Sequence, residues 1–109
     1  MDMELVCFKI ISSVGEAKSD YINAITYAKK GDFEKAEESI KHGDECALNG
    51  HKVHAELIAK EAGGEKVETS MLLMHAEDQL LGAETVKLLA EEIIDLYKKI
   101  KQWQSLGTL

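Results

Sequence analysis

The sequence Met71-Leu72-Leu73-Met74-His75-Ala76-Glu77-Asp78-Gln79-Leu80-Leu81 is an apolar run that carries one histidine and, three residues later, one aspartate. On a helix of about 3.6 residues per turn, one set of positions in and after this run recurs at steps of three and four residues. These seam positions are Met71, Met74, Asp78, Leu81, Thr85 and Leu88. The pattern is a heptad seam with a carboxylate at a core position, so it predicts contact with partner helices.

Asp78 is the polar step of this seam, and the residues Met74 and Leu81 on either side of it are apolar. This setting favours a buried carboxylate over a surface one, and a buried carboxylate requires a proton or a cation as compensation. If three copies of the seam meet, three Asp78 carboxylates converge on one axis. Such a cluster is expected to hold a hard divalent cation through oxygen ligands, or else to take up protons.

His75 lies on the face next to the seam, together with Gln79, Gly82 and Val86, and it is one helical turn from Asp78. A lone histidine on a helix is more often structural than catalytic. The small and amide neighbours and the nearby aspartate favour a reactive role here. A neutral imidazole nitrogen is a competent nucleophile near neutral pH, so His75 is the candidate phosphoryl acceptor.

The composition indicates a single globular domain and excludes two broad functions. The chain has 109 residues, no proline and a net charge of −7. That charge argues against nucleic-acid binding, because little positive charge is available for phosphates. No apolar run approaches the length of about 18 residues that a membrane span requires, and the acidic start is unlike a signal peptide. The sequence therefore predicts a cytoplasmic protein without membrane insertion.

The segments around the central run predict an all-α fold of three long antiparallel helices. The first helix runs from about Met3 to Lys30, and Gly31-Asp32 makes a very short turn into the second. The second runs from about Phe33 to Ala62 and stops at Gly63-Gly64. Thr69 or Ser70 caps the third, which runs to about Gln104. This division gives one domain over residues 1–104 and a short tail over residues 105–109.

The apolar pattern also predicts which sides of the first two helices face inward. The predicted face of the first helix comprises Leu5, Phe8, Ile11 (or Ser12), Gly15, Ala17, Tyr21, Ile22, Ile25 and Ala28. The predicted face of the second comprises Phe33, Ala36, Ile40, Gly43, Ala47, Leu48, His51, Ala55 and Ile58.

Other residues that could carry chemistry are predicted to have structural roles. His51 and His54 are three positions apart but lack carboxylate or thiolate company, so a zinc site there is disfavoured. His51 is expected to be hydrogen-bonded or to form a wall of the active groove with Gln79 and Gly82, and His42 is expected to face solvent. Cys7 and Cys46 are predicted to be small apolar fillers, not a disulfide or a nucleophile.

Several separated motifs identify a family resemblance over nearly the whole chain. The chain resembles the IIA component of the lactose/cellobiose/N,N′-diacetylchitobiose branch of the bacterial sugar phosphotransferase system. The motifs are Met74–Leu81, Gly15–Ser19, Gly31-Asp32-Phe33 with Ala36, His51 with Leu57-Ile58 and residues 61–65, and Ala90–Tyr97.

The resemblance implies a phosphocarrier that works as a homotrimer, with nine helices in one bundle. It implies that His75 accepts a phosphoryl group on Nε2 from the phosphocarrier HPr. The group then passes to a cysteine of the cognate IIB component and on to a sugar at the membrane component IIC. It also implies that Asp78 from three subunits binds one divalent cation, commonly Mg²⁺, on the trimer axis. Which sugar is transported cannot be read from this chain.

The chain departs from the family pattern at three positions. Glu77 stands where glutamine is common, Gln79 replaces a frequent histidine, and His54 stands where the family often has glutamine. A carboxylate would repel a phosphoryl group, so Glu77 is assigned no binding role. Two alternatives remain open at this point. One is a helical oligomerisation module in which His75 is incidental, and the other is a histidine phosphotransfer domain of two-component signalling.

Overall fold

The computed structural model describes residues 2–107 and places them in three helices. They are α1 (Met3–Lys29), α2 (Phe33–Ala62) and α3 (Met71–Ser105). No strand occurs in residues 2–107, so the predicted all-α class is confirmed. Each helix begins and ends within one residue of its predicted bound, and α3 continues through Ser105, the first residue of the predicted tail. Residues 108 and 109 of that tail lie outside the described part.

The helix boundaries follow from local capping chemistry. The side-chain oxygens of Asp2, Asp32 and Ser70 each accept a hydrogen bond from the backbone N–H three residues later. These bonds satisfy amides that a helix leaves unpaired at its start. Gly31 and Gly64 adopt φ values of +81° and +89°, a conformation that ordinary side chains disfavour, and so end α1 and α2.

α1 is the central element, because it packs along both other helices while α2 and α3 meet only over a short length. The bundle is long and narrow, with extents of 61 × 23 × 19 Å. The core cluster nearest the start of α3 is the largest and anchors the helix that carries His75. Its buried members are Cys7, Ile10, Val14, Leu57, Leu73, Ala76, Leu80 and Ala83.

The predicted inward face of α1 is wrong in its first half. Leu5 and Phe8 are 51% and 54% exposed, whereas Cys7 and Ile10 are each 1% exposed. Ile22, further along the predicted face, is 51% exposed. α1 carries two apolar stripes, and the stripe that packs against the other two helices contains Cys7, Ile10, Val14, Ala17 and Tyr21. The other stripe remains on the surface of the subunit.

The predicted face of α2 is correct at its start and wrong towards its end. Ala36, Gly43 and Ala47 are buried as predicted. Leu48, Ala55 and Ile58 are exposed instead, and Gly50 and Leu57 are buried in their place. The buried positions Ala36, Gly43, Gly50 and Leu57 recur at steps of seven residues along the helix. The predicted face instead followed larger side chains such as Leu48 and Ile58, which each lie one position after a buried residue and point about 100° away from it.

Gly43 is expected to tolerate no side chain. A Cβ there would lie 2.6 Å from Tyr21 Cε1 and 3.1 Å from the Ala17 carbonyl oxygen. The Tyr21 hydroxyl donates to Asp44 Oδ1 at 2.7 Å, which holds the ring in place. We expect Gly43→Ala to lower the free energy of unfolding in urea by about 1–3 kcal/mol through overpacking.

Gly15→Ala is the matched control for this substitution. Gly15 also lies inside a helix, but no heavy atom lies within 4 Å of a Cβ placed on it. Alanine should therefore raise the free energy of unfolding by about 0.5–1 kcal/mol through helix propensity alone. A Gly43→Ala protein as stable as Gly15→Ala would contradict the close approach of α1 and α2.

Candidate functional site

His75 lies one turn into α3, on the outer surface of the bundle. Its neighbour Ala76 is completely buried, while His75 itself is exposed. Among residues 2–107, the side chain of His75 has no hydrogen-bond or ion-pair partner. Its imidazole nitrogens are therefore reachable by a partner protein, as a group that accepts and passes on a phosphoryl group must be.

Two of the predicted groove residues lie together beside His75. Gln79 is one turn further along the same face, and its Oε1 accepts a hydrogen bond from Lys18 Nζ at 3.3 Å. Lys18 Nζ also lies 3.8 Å from the position of a Cβ at Gly82. The absence of a side chain at Gly82 leaves room for the ammonium group. Sequence reasoning missed Lys18 as a site residue, although it lies inside one of the motifs that carry the family resemblance.

The third predicted groove residue, His51, lies elsewhere in the subunit. Its Nδ1 is 3.1 Å from Glu84 Oε1, in an open groove of about 570 Å³ between α2 and α3. Glu84 follows His75 by nine positions, which corresponds to roughly 180° around the helix. Within one subunit, the structure therefore does not bring His51 together with His75, Gln79 and Gly82.

Below His51, the same groove has a structural polar network. Tyr21 donates to Asp44, and Lys87 Nζ lies 2.9 Å from Asp44 Oδ1. Burial, together with the hydrogen bond to Asp44, raises the pKa of Tyr21 and keeps the phenol protonated. These contacts join all three helices and explain the polar lining without a ligand.

Glu77 is directed away from His75 and is paired with His54. The Glu77 carboxylate contacts Nδ1 of His54, and both side chains are partly buried between α2 and α3. Two positions separate His75 from Glu77, or roughly 200° around the helix. Two of the three departures from the family pattern are thus in direct contact. The Glu77 charge therefore faces a different helix from the surface that carries His75, and it has its own partner.

The expectation that His51 and His54 lack acidic company is therefore wrong. Each imidazole has a glutamate partner on α3, namely Glu84 and Glu77. The sequence pattern missed both because the partners are on another helix. One imidazole and one carboxylate in each pair still do not make a zinc site.

The two cysteines have different surroundings. Both are free thiols, as predicted. Cys7 is 1% exposed in the core, and its burial, together with the nearby Glu77 carboxylate, raises its pKa. Cys7 is therefore the inert filler that the sequence predicted. Cys46 is not an apolar filler, because its Sγ is 3.8 Å from both Asp20 Oδ2 and His42 Nδ1.

The predicted seam lies along the outside of α3. Its apolar members Met71, Met74, Leu81 and Leu88 are between 52% and 86% exposed in the single subunit. Asp78 is exposed among them, and within residues 2–107 its carboxylate has no hydrogen-bond or ion-pair partner. No helix in that range has both the length and the apolarity to cross a membrane. An apolar stripe of this length on a bundle surface is typical of a protein interface.

Comparison with known proteins agrees with this geometry. The family model for the lactose/cellobiose-specific IIA subunit of the phosphotransferase system matches residues 5–98. The lichenan-specific phosphotransferase enzyme IIA component of Bacillus subtilis is 44% identical over 101 residues, which cover 93% of this chain and 92% of that protein. The lactose-specific EIIA component of Streptococcus mutans is 37% identical over 95 residues, covering 87% of this chain and 91% of that protein.

A solved structure extends the similarity to three dimensions. The crystal structure of the cellobiose-specific enzyme IIA from Bacillus anthracis superposes with a TM-score of 0.86 at 42% identity and covers 94% of each chain. The family model, the relatives and this structure all match over nearly the full bundle. The chain therefore belongs to the lactose/cellobiose-specific IIA family of the sugar phosphotransferase system.

Proposed function

We propose that His75 is the phosphoryl carrier of this IIA component. Its Nε2 accepts the group from phospho-HPr and passes it to a cysteine of the cognate IIB component. The relay serves coupled uptake and phosphorylation of a disaccharide of the cellobiose, lactose or diacetylchitobiose class. The observation that carries this proposal is the exposed and unpartnered imidazole of His75 in a chain of this family.

The chemistry consists of two displacements at phosphorus. In the first, the neutral imidazole nitrogen forms a bond to phosphorus as the bond to the HPr side chain breaks. In the second, the IIB thiolate forms a bond to phosphorus and the imidazole leaves as the neutral ring. Both steps depend mainly on in-line positioning and on stabilisation of the phosphoryl oxygens. An imidazole that projects from the bundle surface permits this alignment with two successive partners.

Lys18 is the residue of this chain that is best placed to stabilise the phosphoryl oxygens. Its ammonium group lies on the same face as His75, at the Gln79 amide one turn away. A lysine stem is flexible, so Nζ can move towards a phosphoryl group on His75 while Gln79 holds it nearby. In a chain with a net charge of −7, a cation at this position offsets the charge of the arriving group.

Replacing Lys18 by glutamine is expected to slow transfer from phospho-HPr about 10- to 100-fold. A hydrogen bond to a charged group contributes about 1.5–3 kcal/mol, and the transferred group gains most from it in the transition state. Rapid-quench measurement of labelled protein gives the rate. Lys9→Gln removes an exposed lysine from the same helix and should transfer at the wild-type rate. Equal rates for the two variants would exclude a role for Lys18.

We also propose that the seam assembles three subunits around one axis. The exposed apolar residues of α3 then become a core, and three Asp78 carboxylates meet at its polar step. Their oxygens suit a hard divalent cation, with Mg²⁺ the expected ion. The absence of any partner for Asp78 within residues 2–107 leaves its oxygens available for this ligation. The cation has a structural role, because it lies at the seam and not at His75.

The test of the carrier function uses purified components. The chain is incubated with phosphoenolpyruvate, the first general enzyme and HPr. The expected result is one acid-labile phosphoryl group per chain, located by mass spectrometry on the peptide that contains His75. Addition of the cognate IIB should remove it. Absence of label on the wild-type chain, or labelling only by a sensor kinase, would overturn the proposal.

A further inference from the structure

A second cluster of chemically reactive groups lies on the face between α1 and α2. Glu16 and Asp20 are one turn apart on α1, and His42 and Cys46 are one turn apart on α2. His42 Nδ1 is 2.6 Å from Asp20 Oδ2, and Cys46 Sγ is 3.8 Å from each of these two atoms. Single ligand atoms of Glu16, His42 and Cys46 lie within 4.8 Å of one another.

These separations are close to those around a bound transition-metal ion. Zinc lies about 2.0–2.3 Å from nitrogen, oxygen and sulfur ligands in a tetrahedron, so its ligand atoms are roughly 3.3–3.8 Å apart. The two distances of 3.8 Å from Cys46 Sγ lie at the upper end of this range. Replacing the hydrogen bond between His42 and Asp20 by two metal bonds requires those atoms to move apart by roughly 0.7 Å. His42 is half exposed and has room for this movement.

The mixture of donors selects the class of metal. A thiolate and an imidazole with one or two carboxylates suit Zn²⁺ or Co²⁺, whereas Mg²⁺ and Ca²⁺ prefer sites made of oxygen alone. The cluster is also separate from the proposed phosphoryl site. Its α1 members face α2, while Lys18 on the same helix contacts α3. The role of these four residues is therefore independent of transfer through His75.

We propose that Asp20, His42 and Cys46 bind one zinc-class ion, with Glu16 as the fourth ligand. The Cys46 sulfur forms a bond to the ion and its proton goes to solvent, so no oxidant or reductant is needed. The ion links the middle of α1 to the middle of α2. Because the unfolded chain does not hold these four groups together, binding stabilises the folded chain.

The test is a Co²⁺ titration of metal-free wild-type protein, in the presence of excess Mg²⁺ to fill oxygen-only sites. The expected result is one Co²⁺ per chain with a thiolate-to-cobalt charge-transfer band in the near ultraviolet, which added Zn²⁺ abolishes. Carboxylates such as Asp78 cannot produce this band. Cobalt binding without the band, or no binding at micromolar concentrations, would overturn the proposal.

Variants identify the ligands. Cys46→Ser keeps the shape of the side chain and should eliminate the band, and His42→Gln should weaken Co²⁺ binding at least tenfold. His51→Ala is the matched control, since it removes a histidine that is also paired with a carboxylate but lies in a different groove. It should leave the titration unchanged. A charge-transfer band that persists in Cys46→Ser would contradict the assigned ligands. So would a loss of Co²⁺ binding in His51→Ala as large as that in His42→Gln.

Discussion

Replacing His75 by alanine is expected to abolish phosphorylation of this chain by phospho-HPr. The other imidazoles lie at different places on the subunit, each beside a carboxylate of a facing helix, and Cys7 is buried in the core. A partner docked at His75 is therefore not expected to reach them. The His75 side chain is exposed and has no hydrogen-bond or ion-pair partner within residues 2–107, so the variant should remain helical. The measurement is the amount of acid-labile label per chain after incubation with labelled phosphoenolpyruvate, the first general enzyme and HPr.

Two control variants make the loss specific to His75. His51→Ala removes the imidazole in the α2–α3 groove, and His54→Gln introduces the amide that the family often has at this position. Both should be labelled as fully as the wild type. Equal labelling of His75→Ala and wild type would show that the phosphoryl acceptor is another side chain. If the wild type itself takes no label, a helical oligomerisation module becomes the better interpretation.

The boundaries of the three helices were predictable because they depend on contacts within a few residues. Asp32 and Ser70 cap the helices that follow them, and Gly31 and Gly64 take backbone conformations that other residues avoid. Such signals need no knowledge of tertiary packing. This is why every observed helix begins and ends within one residue of its predicted bound.

The buried faces were less predictable because apolarity does not specify a partner. Phe8 and Cys7 are adjacent on α1, and the larger and more apolar of the two is the exposed one. The fit of each side chain between α1 and the two helices packed against it, and not its apolarity alone, decides which stripe is buried. A large apolar side chain that is exposed on one subunit is still stabilised when another protein surface covers it. If the proposed trimer forms, the apolar pattern of the sequence combines the core of a subunit with contacts between subunits.

The candidate site likewise has a part that was predictable from the sequence and a part that was not. His75 and Asp78 lie within one turn of one helix, so their spacing alone placed them on neighbouring faces. The pairs Lys18–Gln79 and His54–Glu77 are 61 and 23 positions apart and depend on how the helices align. Helix alignment is set by packing across the whole bundle, which no short motif records. The same reason explains why the cluster around Cys46 was not predicted.

Replacing Asp78 by leucine is expected to eliminate the axis cation and to keep or strengthen the trimer. In the proposed assembly, three carboxylates are buried at one level of an apolar seam, and the cation offsets the cost of burying them. Exchange of a buried charged cluster for packed apolar side chains is often neutral or stabilises an assembly by about 1–4 kcal/mol. A heptad seam with leucine at this step would be apolar without interruption from Met71 to Leu81.

Two measurements on magnesium-loaded protein separate the cation from the assembly. Sedimentation equilibrium at micromolar concentration should give a trimer mass for wild type and for Asp78→Leu. Metal analysis should give one Mg²⁺ per three wild-type chains and none for the variant.

Leu81→Asp, the matched opposite change one step along the seam, places three further charges in the interface and should shift the mass towards the monomer. A monomeric wild type would refute the shared site. A trimeric Leu81→Asp would move the interface to another surface, of which the exposed stripe with Leu5 and Phe8 on α1 is the next to test.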